Sequence, residues 1–240
     1  LPNGARVLHS GDYRLDESMN RPECLEYLAR RGDMGDILLF LGDSTNVERE
    51  GNSQCEASVR EGLNSVYRDA PGSIITAVFS SSIYRVESIL ALAEELGRRV
   101  AVCGFNLERN FGIAKQLGLI RCPDHLVLPV GKLKSLPANQ RLVLTTGTQG
   151  ESGSALSRLA HGNFKGYAIE PGDRVVLSSR IIPGNERSIL RMVNHFYRRG
   201  ASVFTERDAN VHGSGHAYRN EMKQMLEWIR PRYFLSLIHI

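Results

Sequence analysis

From residue 73 to residue 205 the chain repeats one pattern, a short apolar run of strand length followed by a longer amphipathic segment of helical period. The periodicity predicts strands over 73–79, 99–103, 141–146, 174–178 and 202–205. Helices are predicted between them over 82–96, 107–117, 154–160 and 185–199, with a looser stretch around Pro123, Pro129 and Pro137. Few folds accept this order. Strands joined through a helix run parallel, and a parallel sheet needs cover on both faces. The expected class is α/β. Strands over 6–10 and 36–42 and helices over 22–31 and 53–68 precede the repeat, and a helix over 218–229 and a strand over 232–234 follow it. Ser53 and Glu56 read as a capping box at the start of the second of those helices.

Hydrophobic residues make up 42% of the chain and charged residues 23%, the balance of a soluble globular protein. The net charge of +4 is compatible with a polyanionic partner without requiring one, because the basic residues are scattered. No apolar run has the length of a membrane span, and no signal peptide pattern is visible. Cys24, Cys55, Cys103 and Cys122 lack metal-ligand spacing and are expected as free thiols of a cytosolic protein.

Ligands of open parallel sheets bind beyond the carboxyl ends of the strands. Asp12, Asp43, Ser80, Gly104, the Thr146–Gly147 corner and Ser179 all follow such ends, so a shared cleft is expected. Asp12 and Asp43 are hard oxygen donors that, with histidines from elsewhere, suit a two-metal site; each alone also suits a turn or cap. In Val211-His212-Gly213-Ser214-Gly215-His216-Ala217, two imidazoles and a hydroxyl sit among glycines. That loop fits phosphate binding or proton transfer, and equally a plain turn with two exposed histidines. The Gly-rich segment 145–151 leads into a helix where Ser154, Ser157 and Arg158 add donors. This is an anion site or an ordinary connection, and it lacks the Gly-Lys-Ser/Thr of a Walker loop. Asn185 is a plausible N-cap, Ser80–Ser82 cap a helix or hold a phosphate, and Arg85 either reaches a nucleic-acid backbone or faces solvent.

Six stretches occur in a set order: His9-Ser10-Gly11-Asp12-Tyr13-Arg14, Gly42-Asp43-Ser44-Thr45-Asn46, Thr146-Gly147-Thr148-Gln149-Gly150-Glu151, Ser154-Ala155-Leu156-Ser157-Arg158-Leu159-Ala160, Ile182-Pro183-Gly184-Asn185-Glu186 and His212-Gly213-Ser214-Gly215-His216-Ala217. Together they resemble ribonuclease J, a metallo-β-lactamase-fold nuclease with a β-CASP insertion, over nearly all of residues 1–234. The resemblance implies a β-CASP domain of parallel βα units at 52–205, flanked by parts of an αββα metallo-β-lactamase domain at 1–51 and 206–234. It implies Asp12 as a metal ligand, Asp43 and His216 as catalytic groups, and His212 and Ser214 as phosphate contacts. Thr148, Ser154, Ser157 and Arg158 would form the pocket for an RNA 5′-monophosphate. The cofactors implied are two divalent ions, zinc first, with manganese or magnesium as alternatives. The activity implied is 5′→3′ exoribonuclease with endonuclease activity, a metal-activated water attacking RNA phosphodiesters in mRNA decay and rRNA maturation. The full-length protein would be a cytoplasmic homo-oligomer without membrane attachment. Two other readings are a β-CASP nuclease acting on DNA or pre-mRNA, and a non-catalytic module that binds RNA 5′-phosphates.

The sequence departs from the family pattern in places. The His-x-His-x-Asp-His signature and a later single histidine are absent and are expected upstream of Leu1, so the chain reads as a fragment that does not hydrolyse RNA alone. After Tyr233-Phe234, Leu235–Ile240 replaces the usual Pro-Val-His-Gly-Glu continuation and reads as sequencing-adapter sequence, so His239 is given no role. Gly104-Phe105-Asn106 stands where Gly-Arg-Ser is usual, Ser82 and Tyr84 replace Asn and His, and Ser152-Gly153 replaces Pro-Met.

Overall fold

The computed structural model describes residues 1–2, 4–16, 27, 30, 35 and 37–238. Most of the helix expected over 22–31, Cys24 and His239 lie outside the described residues. In chain order the elements begin with β1 (Arg6–His9), β2 (Ile37–Gly42), α1 (Glu56–Arg68), β3 (Ile74–Ala77), α2 (Ile83–Glu95) and β4 (Arg99–Cys103). Next come α3 (Phe105–Gln116), α4 (Val130–Leu133), a 3-10 turn (Ala138–Gln140), β5 (Arg141–Thr145), α5 (Ala155–His161) and β6 (Arg174–Leu177). The last are α6 (Glu186–Arg198), β7 (Ser202–Phe204), α7 (Arg219–Ile229) and β8 (Tyr233–Ser236). The chain divides into two compact units, Leu1–Ala57 with Gly213–Ile240, and Ser58–His212. No helix among the described residues is long and apolar enough to cross a membrane.

In the Ser58–His212 unit a five-stranded sheet has the order β4-β5-β3-β6-β7, and every pair is parallel. The pleat sends alternate residues to opposite faces. Ile74, Val100, Leu142 and Leu144 enter one core with Leu63 and Tyr67 of α1, Ile89 and Leu90 of α2, and Leu107 of α3. Ile75, Val143, Val175 and Leu177 enter a second core with Leu156 and Leu159 of α5 and Ile189 and Phe196 of α6. Both faces are dry, which is why these strands read as continuous apolar runs. The connection leaving β3 through α2 covers one face, and the connection leaving β5 through α5 covers the other. Since β3 and β5 are neighbours, their carboxyl ends flank a topological switch point, where a crevice opens without displacing a covering helix.

In the other unit β1, β2 and β8 form a parallel sheet in the order β1-β2-β8. Ile37 and Phe40 of β2 pack on Met225 and Ile229 of α7. The closing strand runs to Ser236, two residues past its expected end, with Leu235 and Ser236 opposite Leu41 and Gly42.

Several local expectations are overturned. Ser53 does not cap α1: its N–H and hydroxyl both donate to Glu221, and the Glu56 N–H donates instead to Asp16. Ser82 and Asn185 occupy N-cap positions without making side-chain caps. Arg85 is buried and donates to the Ser178 hydroxyl and the Val211 carbonyl, so it faces neither solvent nor a nucleic acid. The strand ends named above lie on two sheets: Asp12 and Asp43 follow strands of the smaller unit, and Ser80, Gly104 and Thr146 follow strands of the larger.

Gly62 in the middle of α1 has a steric cause: a Cβ there would lie 2.0 Å from the Asn210 carbonyl oxygen. Gly62→Ala is therefore expected to destabilise the chain by about 1–3 kcal/mol through overpacking, against alanine's better helix propensity. Urea unfolding midpoints check this; a stabilised variant would contradict the close approach.

Candidate functional site

The first constellation lies in the Leu1–Ala57 and Gly213–Ile240 unit. Asp43 follows the last residue of β2 and is buried. Its Oδ1 accepts from the Thr45 N–H at 3.0 Å and the Thr45 hydroxyl at 2.6 Å, and its Oδ2 pairs with His216 Nδ1 at 2.7 Å. Burial alone would push the carboxyl up, but the Thr45 bonds and His216 outweigh it and hold Asp43 below the usual carboxylate range. Asp12 follows β1 at the surface. One ligand atom from each of Asp12, Asp43 and His216 lies within 4.8 Å of the others.

The loop carrying His216 is fixed from several sides. Ser214 Oγ accepts from Asn46 Nδ2 at 2.9 Å and from the His216 N–H at 3.1 Å. The Ala217 N–H donates to the Tyr13 carbonyl, and Arg14 donates to the Ser214 carbonyl. Arg14 also pairs with Asp16 and Glu56. Burial pushes the Tyr13 hydroxyl well up, and the charges of Asp43 and Glu221 add to this, so it stays protonated. Glu221, buried at the start of α7, accepts from the N–H groups of Leu15, Ser53 and Tyr218 and from the Ser53 hydroxyl. That fills a carboxylate's acceptor capacity. Sequence reasoning missed Glu221; the available signal was an acid three residues after Tyr218, at a helix start.

Two carboxylates with an imidazole beside them suit a divalent ion that keeps open coordination positions. The residues fit one ion. Among the described residues no second group of three such donors is found, so a second ion would need ligands from elsewhere.

The second constellation is a cavity of about 530 Å³ at the switch point of the larger unit. Val78, Phe79 and Ser80 line it beyond β3, Gly104, Phe105 and Asn106 beyond β4, and Thr146, Gly147 and Thr148 beyond β5. Ser154 and Arg158 line it from the α5 side. Gly147 is required here: its φ is +114° and a Cβ would lie 2.3 Å from Ser154 Oγ. Ser154 caps α5 by accepting from the Ser157 N–H. Ser157 itself does not line the cavity, and its carbonyl is 2.7 Å from His161 Nδ1. Thr148 is buried, and its hydroxyl oxygen accepts from Gln149 Nε2 at 3.3 Å. Gln149 also fastens the loop before α6, donating to the Arg180 carbonyl and accepting from the Ile182 N–H. The guanidinium of Arg158 lies 5.2 Å from the Phe164 ring centre. His212 is half-buried at the end of this unit. Burial pushes the Cys103 thiol up to about 12, so it is no nucleophile.

The family model described as "Ribonuclease J, beta-CASP domain" matches residues 71–196. The chain belongs to the ribonuclease J family. It is 40% identical over 228 residues to Ribonuclease J of Mycolicibacterium smegmatis, a match covering 94% of this chain and 41% of that protein. To Ribonuclease J of Helicobacter pylori strain J99 it is 36% identical over 233 residues, covering 96% and 34%. To that of a Synechocystis species it is 38% identical over 233 residues, covering 96% and 36%. The chain thus spans between 34% and 41% of the length of these curated relatives. The matched region contains the whole switch-point cavity, so the ribonuclease J β-CASP domain is the part of the family fold that builds it.

The low position of Asp43 gives stability that is fully present above the ordinary carboxylate pKa of about 3.9 and is lost as pH falls through its lower folded value. Thr45→Val removes one of the opposing bonds. The Asp43 carboxyl is then expected to titrate at higher pH, and acid unfolding to begin earlier, as read by carboxyl ¹³C NMR and circular dichroism. An unmoved titration would contradict the assignment of Thr45.

Proposed function

We propose that this chain is part of a metal-dependent ribonuclease that degrades RNA from a 5′-monophosphorylated end and also cuts internally, serving mRNA decay and rRNA maturation. The observation that carries the reading is the convergence of Asp12, Asp43 and His216 in a chain of the ribonuclease J family. Asp12 and Asp43 would hold a divalent ion, zinc being our assignment ahead of manganese or magnesium. A second ion would draw on ligands beyond these residues. Such an ion supplies a water of lowered pKa and positive charge beside a phosphate.

The protein's own groups do the rest. Asp43 accepts from His216 Nδ1 and so orients the ring, leaving Nε2 facing a phosphoryl or leaving oxygen, to which it donates when the ring carries a second proton. Ser214 sits beside His216 and, with His212, is assigned to phosphate contact. In the cavity, Arg158 supplies a positive charge for a terminal phosphate, and the hydroxyls of Thr148 and Ser154 add polar contacts. Ser157 supports this wall through its bond to Ser154. Self-association of the full-length protein and a cytoplasmic location rest on family membership.

Two measurements test the reading. Asp12→Asn is expected to weaken zinc or manganese binding at least about tenfold by calorimetry, and unchanged affinity would remove Asp12 from the site. Arg158→Ala is expected to weaken binding of 5′-monophosphorylated RNA about tenfold or more while sparing 5′-hydroxyl RNA, because a charge-assisted bond of about 1.5–3 kcal/mol is lost only with the phosphate. Equal loss for both RNAs would overturn the pocket assignment.

A further inference from the structure

The switch-point cavity is larger and less cationic than a phosphate alone requires. Its lining sets one guanidinium, Arg158, against two carboxylates, Glu108 and Glu151. Arg158 offers a counter-charge for a single phosphate, while the two carboxylates disfavour a longer polyanion within the same space. What fills the remaining volume must be largely uncharged. Phe105, the first residue of α3, is on the rim and is 80% exposed. Its ring packs in no core, and the Arg109 guanidinium lies 6.0 Å from its centre. Beside it Asn106 adds a hydrogen-bonding edge, and Glu108 is turned back to accept from the Gly104 N–H at 2.9 Å. A flat, unburied ring next to a guanidinium, on the rim of a cavity that also holds Arg158, suits a flat heteroaromatic group attached to a phosphate.

We propose that Phe105 is a stacking platform for the nucleobase of the 5′-terminal nucleotide, so that the cavity holds that nucleotide at its phosphate and at its base. This rests on the reading of the cavity as the 5′-phosphate site. Every base has a π-face, so the platform raises affinity for a terminal nucleotide without choosing among bases.

The test uses the 240-residue chain and 5′-monophosphorylated oligoribonucleotides carrying 2-aminopurine at the first position. Binding is expected to quench 2-aminopurine fluorescence. Phe105→Leu is expected to abolish the quenching and weaken binding about tenfold, whereas Phe105→Tyr keeps both. An oligonucleotide with an abasic first residue is expected to bind the native chain and Phe105→Leu equally. Native quenching and affinity in Phe105→Leu would overturn the proposal while leaving the phosphate reading intact. Absence of any preference for 5′-monophosphate over 5′-hydroxyl ends would remove the phosphate reading and this proposal with it. If Phe105→Leu instead abolished self-association in sedimentation, with RNA binding unchanged, the ring would be a protein contact and the proposal wrong.

Discussion

A sheet whose strands all run one way places every carboxyl end on one edge, and the larger unit depends on where its chain changes face along that edge. The change falls between β3 and β5, which are neighbours. Their connections diverge to opposite faces and leave space between them. Apolar residues on both sides of each strand enforce this, because neither face tolerates exposure. The cavity is therefore a consequence of core packing, and its lining is recruited from three strand ends that the packing brings together. Gly147 lets the loop after β5 close on Ser154 with no Cβ in the way.

The smaller unit is organised by buried carboxylates in place of a large core. Glu221 gathers four donors, three of them from two distant segments, and Arg14 gathers Asp16, Glu56 and the Ser214 carbonyl. Each buried charge is matched, as low-dielectric surroundings demand. These bonds hold the His216 loop against the end of β2, where Asp43 stays ionised despite burial. A carboxylate kept charged beside an imidazole and a second carboxylate is electrostatically suited to a cation.

The sequence made the parallel sheet legible because strands buried on both faces are short, apolar and evenly spaced; the boundaries of β3 to β7 move by only a few residues. The ordered motifs pointed to the family for the same reason that they carry chemistry: they sit on the strand ends and loops. Local capping rules failed where a distant partner outbid the neighbour. Ser53 is claimed by Glu221, Asn185 Nδ2 points to Gln149 at 3.4 Å, and Arg85 is drawn into a buried polar gap at Ser178. None of these partners is visible in a window of a few residues. Ser157, the residue before Arg158, is expected to line the pocket and does not; its N–H bonds instead to the Ser154 hydroxyl.

The central claim is that the switch-point cavity binds a terminal phosphate. Two-dimensional ¹H–¹⁵N NMR of the 240-residue chain during addition of uridine 5′-monophosphate, with uridine as the control, tests it most directly. The account predicts saturable shifts of the backbone amides of Gly147, Thr148 and Ser154 and of the Arg158 side-chain N–H with the nucleotide, and none at these positions with uridine. Equal shifts from both compounds, or nucleotide-specific shifts confined to other residues, would contradict it.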